Sequence, residues 1–180
     1  MPHYLSRGKK VSNNTVSCRG KNILLPLELM DVWEKGRSYS ETDPENIHRI
    51  NRMQEEGILL SAEGNYYRVA YDLLSKCILE PTYRSQMFPL PPVEKWILDW
   101  LTGAGLRLTI AELVCLHEKE ANPESELLGD ENCQALTAVI YETTDILDDN
   151  FDSRMRWTPS SSKIIQGVLG LLRKKYIELR

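Results

Sequence analysis

The chain has 180 residues, of which 42% are hydrophobic and 27% are charged, and its formal net charge is −4. This length suits one substantial core or two small ones, and the composition excludes a disordered, collagen-like or membrane-embedded chain. No apolar run approaches the roughly 18 residues that span a bilayer. The first residues lack the apolar core of a signal peptide. The four cysteines form no CxxC pair. We therefore expect a cytoplasmic protein with reduced cysteines.

Charge is distributed unevenly along the chain. Residues 1–21 contain five basic residues and no acidic one, and their low periodicity predicts a flexible basic arm. Residues 118–152 carry eleven acids against one lysine. We predict an acidic helical insertion at about 121–158, whose helix at 131–147 is the candidate surface for a homodimer.

The first elements after the arm follow a helical pattern. Apolar residues recur at helical spacing from Leu27 to a stop at Gly36, which predicts a short helix. Asp43 stands directly before Pro44, the preferred start of a helix, and predicts a second helix over 45–56. Residues 58–61 and 66–71 then read as two strands joined by a turn, which together predict a β-hairpin.

This order of helix, turn, helix, glycine and hairpin resembles the winged helix-turn-helix family. The resemblance rests on residues 57–60 and 64–67 and covers about fifty residues. It implies a winged-helix domain over 22–84 in a fold that is mainly α with small β-hairpins. The resemblance is specific for the fold and is weak evidence of function.

Three prolines within residues 85–92 predict a linker to a second domain at 93–180. An amphipathic pattern from Val93 ends at Gly103, and a capping box of Thr109 and Glu112 opens the next helix. Residues 160–162 then cap a terminal helix that leads into a short strand. This approximate second copy predicts tandem winged helices, although its wing must be truncated or completed by a strand from elsewhere.

The motifs of catalysis and metal binding are missing from the sequence. The three histidines are isolated from one another, and HExxH, HxxxH and GxSxG do not occur. Residues 148–152 match the first three ligand positions of a calcium loop, but its glycine and its final glutamate are absent. We therefore predict a non-enzymatic protein without metal or cofactor.

The resemblance implies a DNA-binding regulatory protein, with the helix at 45–56 in the major groove and the hairpin on the backbone. The terminal helix is a second candidate, because Gly167 and Gly170 leave one side bare, either for a close approach or for packing against neighbouring helices. The candidate nucleic-acid contacts are polar residues of these elements: His48, Arg49, Asn51, Arg52, Asn65, Arg68, Lys163, Gln166, Arg173 and Lys174.

The alternative function is protein–protein interaction. Residues 22–180 carry a net charge of −9, which DNA binding does not explain. Acidic tandem winged helices resemble the kleisin-binding subunits of chromosome-condensing complexes and the peptide-recognition elements of peptide-modifying enzymes. DNA and a protein partner both remain open from the sequence.

Overall fold

A computed structural model describes residues 2–103, 108–118, 120 and 158–180. Within these residues, four short strands come first, helices and further strands follow, and the strands form three small antiparallel sheets. The predicted acidic insertion, its helix at 131–147 and the calcium-like loop lie outside the described residues, apart from the single position 158.

Four strands occupy most of residues 3–24, so the prediction of a flexible arm over residues 1–21 is wrong. The strands are β1 (His3–Ser6), β2 (Lys9–Ser12), β3 (Thr15–Cys18) and β4 (Lys21–Leu24). Strands β2, β3 and β4 form an antiparallel meander. Arg19 and Gly20 both have positive φ, which is the geometry of a tight hairpin turn between β3 and β4. Val16 and Cys18 alternate with polar residues and bury one face of this sheet.

The two helices predicted next are confirmed. They are α1 (Leu27–Gly36) and α2 (Ile47–Glu55), with β5 (Ser40–Glu41) between them and β6 (Leu59–Ala62) after them. A short 3-10 turn at Pro44–Asn46 precedes α2, and the Asp43 carboxylate accepts a hydrogen bond from the amide of Glu45 at 3.3 Å. This Asp43-Pro44 start is the capping arrangement that the sequence predicts.

The predicted hairpin at 58–71 does not exist, and the winged-helix fold class is wrong. Its second strand is instead the helix α3 (Tyr66–Leu74). The side chain of Asn65 accepts hydrogen bonds from the amides of Tyr67 and Arg68, which starts a helix. Strand β1 takes the place beside β6 and pairs with β5 on its other edge. The described residues form a mixed α and β fold with small antiparallel sheets.

The second half of the chain has the predicted helices and the predicted terminal strand, which pairs with a strand that the sequence did not predict. Its elements are β7 (Leu79–Pro81), α4 (Pro92–Gly103), α5 (Ile110–Glu118), α6 (Pro159–Arg173) and β8 (Ile177–Leu179). Strand β7 pairs with β8, and Leu79 also forms an isolated bridge with Leu108. Strand β7 thus lies between β8 and Leu108, both of which come later in the chain, just as β1 lies between β5 and β6.

Two clusters of buried side chains hold these elements together. The first surrounds Trp33 and joins the meander to α1 and α2. The second surrounds Trp100 and joins α3, α4, α5 and α6. Gly167 and Gly170 are buried against α4, where an added Cβ at Gly167 would lie 2.7 Å from Cδ1 of Ile97. These glycines therefore serve helix packing, and they do not leave a bare outer face.

Arg7 connects the two halves of the molecule. Its amide donates to the carbonyl of Ile58 at 3.0 Å, and the next amide, of Gly8, donates to the carbonyl of Leu179 at 2.8 Å. Its buried guanidinium donates from Nε to the carbonyl of Gly57 at 2.7 Å and from Nη1 to that of Lys76 at 3.4 Å. These carbonyls follow the ends of α2 and α3, where helix dipoles favour a cation.

Candidate functional site

Strand β4 is an edge strand of the meander. It pairs with β3, and no strand in the described part of the chain pairs with its other edge. Its side chains alternate: Ile23 packs against the first core, whereas Asn22 and Leu24 are exposed. An open strand edge presents unpaired backbone donors and acceptors to any extended segment that approaches it.

The hydrogen-bond pattern identifies which backbone groups of β4 face outward. The amide of Leu25 donates to the carbonyl of Asn14 at 2.7 Å, and these residues are opposite each other in the register that pairs Leu24 with Thr15. Directly opposed residues in an antiparallel pair alternate between bonded and non-bonded positions. The N–H and C=O groups of Asn22 and Leu24 therefore point to the free edge.

The opposite edge of the same sheet, strand β2, has features that protect edge strands. Its pairing with β3 shifts between Lys10 and Ser12, which is a β-bulge at Val11. Lys10 also forms an ion pair with Glu34 at 3.0 Å. Bulges and edge lysines both discourage the addition of another strand. Strand β4 pairs in continuous register over its whole length and has neither a bulge nor a lysine in its centre.

Two contacts connect the residues that flank β4 with the two ends of α2. Near the start of β4, Sγ of Cys18 lies 3.9 Å from the carbonyl of Gly57, just after α2. Beyond the end of β4, Glu28 forms an ion pair with Arg49 in the first half of α2 at 3.1 Å. The start of α2 therefore lies near the start of α1, just after β4.

Large apolar side chains are exposed at the end of β4. Leu24 is 72% exposed and Leu27, at the first position of α1, is 75% exposed. Ile47, at the first position of α2, is exposed as well. Leu27 begins the apolar spacing that predicts α1, but its own side chain lies outside the buried face of that helix. Exposed apolar residues beside an open strand edge are typical of a surface that binds a partner.

The four candidate residues predicted on the second helix do lie on α2. His48, Asn51 and Arg52 are exposed, whereas Arg49 is half-buried and engaged by the Glu28 carboxylate and by Oδ1 of Asn46. Arg49 therefore already has an acidic partner. The structure brings His48, Asn51 and Arg52 together with exposed acids at 45, 55 and 56, so the face carries both signs of charge.

The remaining candidate residues lie on other elements. Asn65 caps α3 and Arg68 lies in its first turn, so neither is on a hairpin. On α6, Lys163 lies near the start, Gln166 donates to the Tyr67 hydroxyl at 2.9 Å, and Lys174 pairs with Glu94 at 2.7 Å. Arg173 lies at the far end of α6 beside the irregular segment that precedes α4. The ten candidates thus do not form one continuous site.

One further polar pair occupies an open cavity between α4, α5 and the start of α6. Nδ1 of His117 lies 2.8 Å from Oγ of Ser160, and the His117 ring meets the Trp96 ring edge-on. Burial, and then the positive charge of Lys163, lower the pKa of His117. The pair links α5 to α6, and the described residues provide no acidic group bonded to the histidine that would complete a catalytic triad.

No group of three or more His, Cys, Asp or Glu side chains in the described part of the chain could hold a metal ion, and no described helix is both long and apolar enough to cross a bilayer. Comparison of the chain with protein-family models, with curated proteins and with solved structures finds no match.

Proposed function

We propose that this protein is a non-catalytic peptide-binding module that accepts an extended segment of a partner protein as an additional strand on β4. The open edge of β4, beside the protected edge of β2, is the observation that carries the proposal. In strand addition, main-chain hydrogen bonds supply affinity and alternate side chains supply specificity. Asn22 and Leu24 provide the main-chain groups, and the exposed Leu24, Leu27 and Ile47 provide apolar contacts.

Hydrogen exchange is the direct test of this proposal. Peptides selected from a random display library against the full chain would be added to labelled protein, and amide exchange would be followed residue by residue. We expect the amides of Asn22 and Leu24 to exchange quickly in the free protein and slowly in the complex. The amides of Ile23 and Leu25 already point to β3 and should change little. Protection confined to other elements would contradict the proposed site.

A matched pair of variants separates the two edges of the sheet. Leu24→Lys places a charge on the open edge, and Val11→Lys makes the same change at an exposed position of the protected edge. We expect Leu24→Lys to weaken binding of the selected peptides by about tenfold or more, because buried apolar contacts of an interface are commonly worth more than about 1 kcal/mol. Val11→Lys should bind as the original chain does. Equal effects of the two changes would argue against strand addition on β4.

DNA binding by α2 is the competing function, and it predicts a different response. Binding driven by phosphate contacts weakens steeply as salt concentration rises. If α2 binds DNA, a mobility-shift assay at low salt should detect a complex that Arg52→Ala weakens and Leu24→Lys does not. The proposed peptide-binding function predicts the reverse dependence on these two variants. The exposed acids beside Arg52 favour the peptide partner.

We further propose that the protein acts in the cytoplasm. Cys18 and Cys77 are buried and form no disulfide, whereas cysteines in proteins of oxidising compartments are usually paired in disulfides. Purification in the presence and absence of a reductant provides the check. A native disulfide in protein taken directly from its host would argue for an oxidising compartment.

A further inference from the structure

A second exposed apolar surface lies in the irregular segment between β7 and α4, far along the chain from β4. Tyr83, Met87 and Phe88 are between 72% and 76% exposed. Single exposed apolar residues are common on protein surfaces, but three large ones within six positions form a patch of the kind that marks interaction sites. We call residues 82–90 the Tyr83 loop.

The backbone holds Tyr83 in a conformation that bulky residues rarely adopt. Its φ is +56°, and Lys175 opposite it has a φ of +63°. Thr82 donates from its amide to the carbonyl of Tyr176 at 2.9 Å and from Oγ1 to that of Lys175 at 2.8 Å. Arg84 donates to the carbonyl of the residue before Lys175 at 3.2 Å. These bonds on both sides fix Tyr83, and such strained positions cluster at ligand-binding sites.

The Tyr83 loop and the end of α6 enclose an open cavity of about 390 Å³. This volume lies in the range of about 300 to 1,000 Å³ that is usual for ligand pockets. One wall is apolar and the other is basic. The apolar wall is formed by Met87, Phe88 and Leu90, and the basic wall by Arg84, Arg173 and Lys175.

We propose that this cavity binds an acidic segment of a partner protein that inserts a large apolar side chain between the Tyr83 loop and α6. Charge complementarity selects the partner. Four basic residues line the cavity, namely the three of the basic wall and Lys174, which pairs with Glu94, on a chain whose net charge is −4. The concave shape suits a single inserted side chain of a peptide better than the flat surface of a bilayer. The proposal is independent of strand addition on β4.

The probe is a fluorescent peptide in which glutamates alternate with leucine and phenylalanine, and its control has glutamine at every glutamate position. We expect the acidic peptide to bind the full chain at low salt, to weaken as salt rises, and to bind more tightly than the control peptide. Anisotropy would measure each affinity. Failure of the acidic peptide to bind at low salt, or equal binding of the two peptides, would overturn the proposal.

Variants at exposed positions test each wall without disturbing the cores. Phe88→Ser should weaken the acidic peptide about tenfold, whereas Val11→Ser, an exposed apolar position on β2, should not. Arg173→Gln should reduce the salt dependence, whereas Lys163→Gln, at the opposite end of α6, should not. Binding that Phe88→Ser leaves unchanged would overturn the proposed site.

Two further arms distinguish other partners. Vesicles that contain phosphatidylserine should not compete with the acidic peptide, and Phe88-dependent vesicle binding would identify a membrane surface and overturn the peptide assignment. Leu24→Lys should leave the affinity of the acidic peptide unchanged. Loss of binding in Leu24→Lys alone would show that the probe occupies the β4 edge, which contradicts this site and leaves the β4 proposal standing.

Discussion

Replacement of Arg7 should destabilise the whole fold, although the sequence pattern predicts that this residue lies in a flexible basic arm. Arg7→Met keeps most of the aliphatic volume and removes the guanidinium. It leaves the carbonyls of Gly57 and Lys76 without their side-chain donor. Arg7 is only 7% exposed, so water does not readily replace those donors.

The size of the effect follows from the two hydrogen bonds. A hydrogen bond from a charged donor contributes about 1.5 to 3 kcal/mol to stability. The 2.7 Å bond to Gly57 belongs in this range, and the 3.4 Å bond to Lys76 is long enough to contribute less. The variant regains part of the cost of burying a charge, which offsets some of the loss. We expect Arg7→Met to lower the free energy of unfolding by about 2 to 3 kcal/mol.

Urea unfolding followed by tryptophan fluorescence measures this loss in both halves, because Trp33 and Trp100 are buried in different cores. The control is Lys9→Met, which makes a comparable change at an exposed position of β2 and should alter stability by less than about 0.5 kcal/mol. If Arg7→Met unfolded at the same urea concentration as Lys9→Met, the guanidinium would not be the connection between the halves that its hydrogen bonds indicate.

Three further predictions concern glycine packing, ladder geometry and pH. Gly167→Ala should destabilise the protein, because the steric clash of the added Cβ with Ile97 outweighs the higher helix propensity of alanine, which is worth about 1 kcal/mol. A higher melting temperature in this variant would refute the packing argument. Ile23→Pro removes a ladder hydrogen bond and should lower the free energy of unfolding by about 1 to 3 kcal/mol, whereas Leu24→Pro removes an outward donor and should cost much less. If urea unfolding ranked the two variants in the opposite order, the assignment of the open edge would be reversed. The pKa of His117 is lower in the folded state than in the unfolded state. The neutral histidine therefore contributes stability above the unfolded-state pKa of about 6.5, and this contribution is lost as pH falls through the folded-state pKa. In His117→Gln, the difference in the free energy of unfolding between neutral and mildly acidic pH should shrink.

Local signals in the sequence predict five of the six helices in the described part of the chain, all except α3. Helix α2 begins after an Asp-Pro pair, and α5 begins after Thr109, whose hydroxyl accepts a hydrogen bond from the amide of Glu112 at 3.3 Å. Each of these signals depends on residues within a few positions of one another. Helix periodicity and capping are local properties, so they can be recognised without knowledge of the rest of the fold.

The strand assignments fail where the partner strand is distant in the chain. Residues 66–71 combine aromatic and β-branched residues, which favours a strand, but the Asn65 cap and the buried Leu73 and Leu74 make this segment a helix. The place beside β6 is filled by β1, which lies more than fifty residues earlier in the chain. Such a pairing depends on tertiary structure, and no short-range pattern reports it.

The candidate site likewise depends on contacts between residues that are distant in the chain. The letters of β2 and β4, KKVS and KNIL, are both short mixtures of polar and apolar residues, and either strand could be open from the sequence alone. What distinguishes them is the bulge at Val11 and the contact of Lys10 with Glu34 on α1, both of which require the folded sheet. Leu24 and Leu27 indicate a binding surface only because the structure leaves them exposed, and the sequence alone does not show that exposure. The open edge is therefore a property of the tertiary fold, and the backbone groups of Asn22 and Leu24 are the part of that edge on which the proposed binding depends.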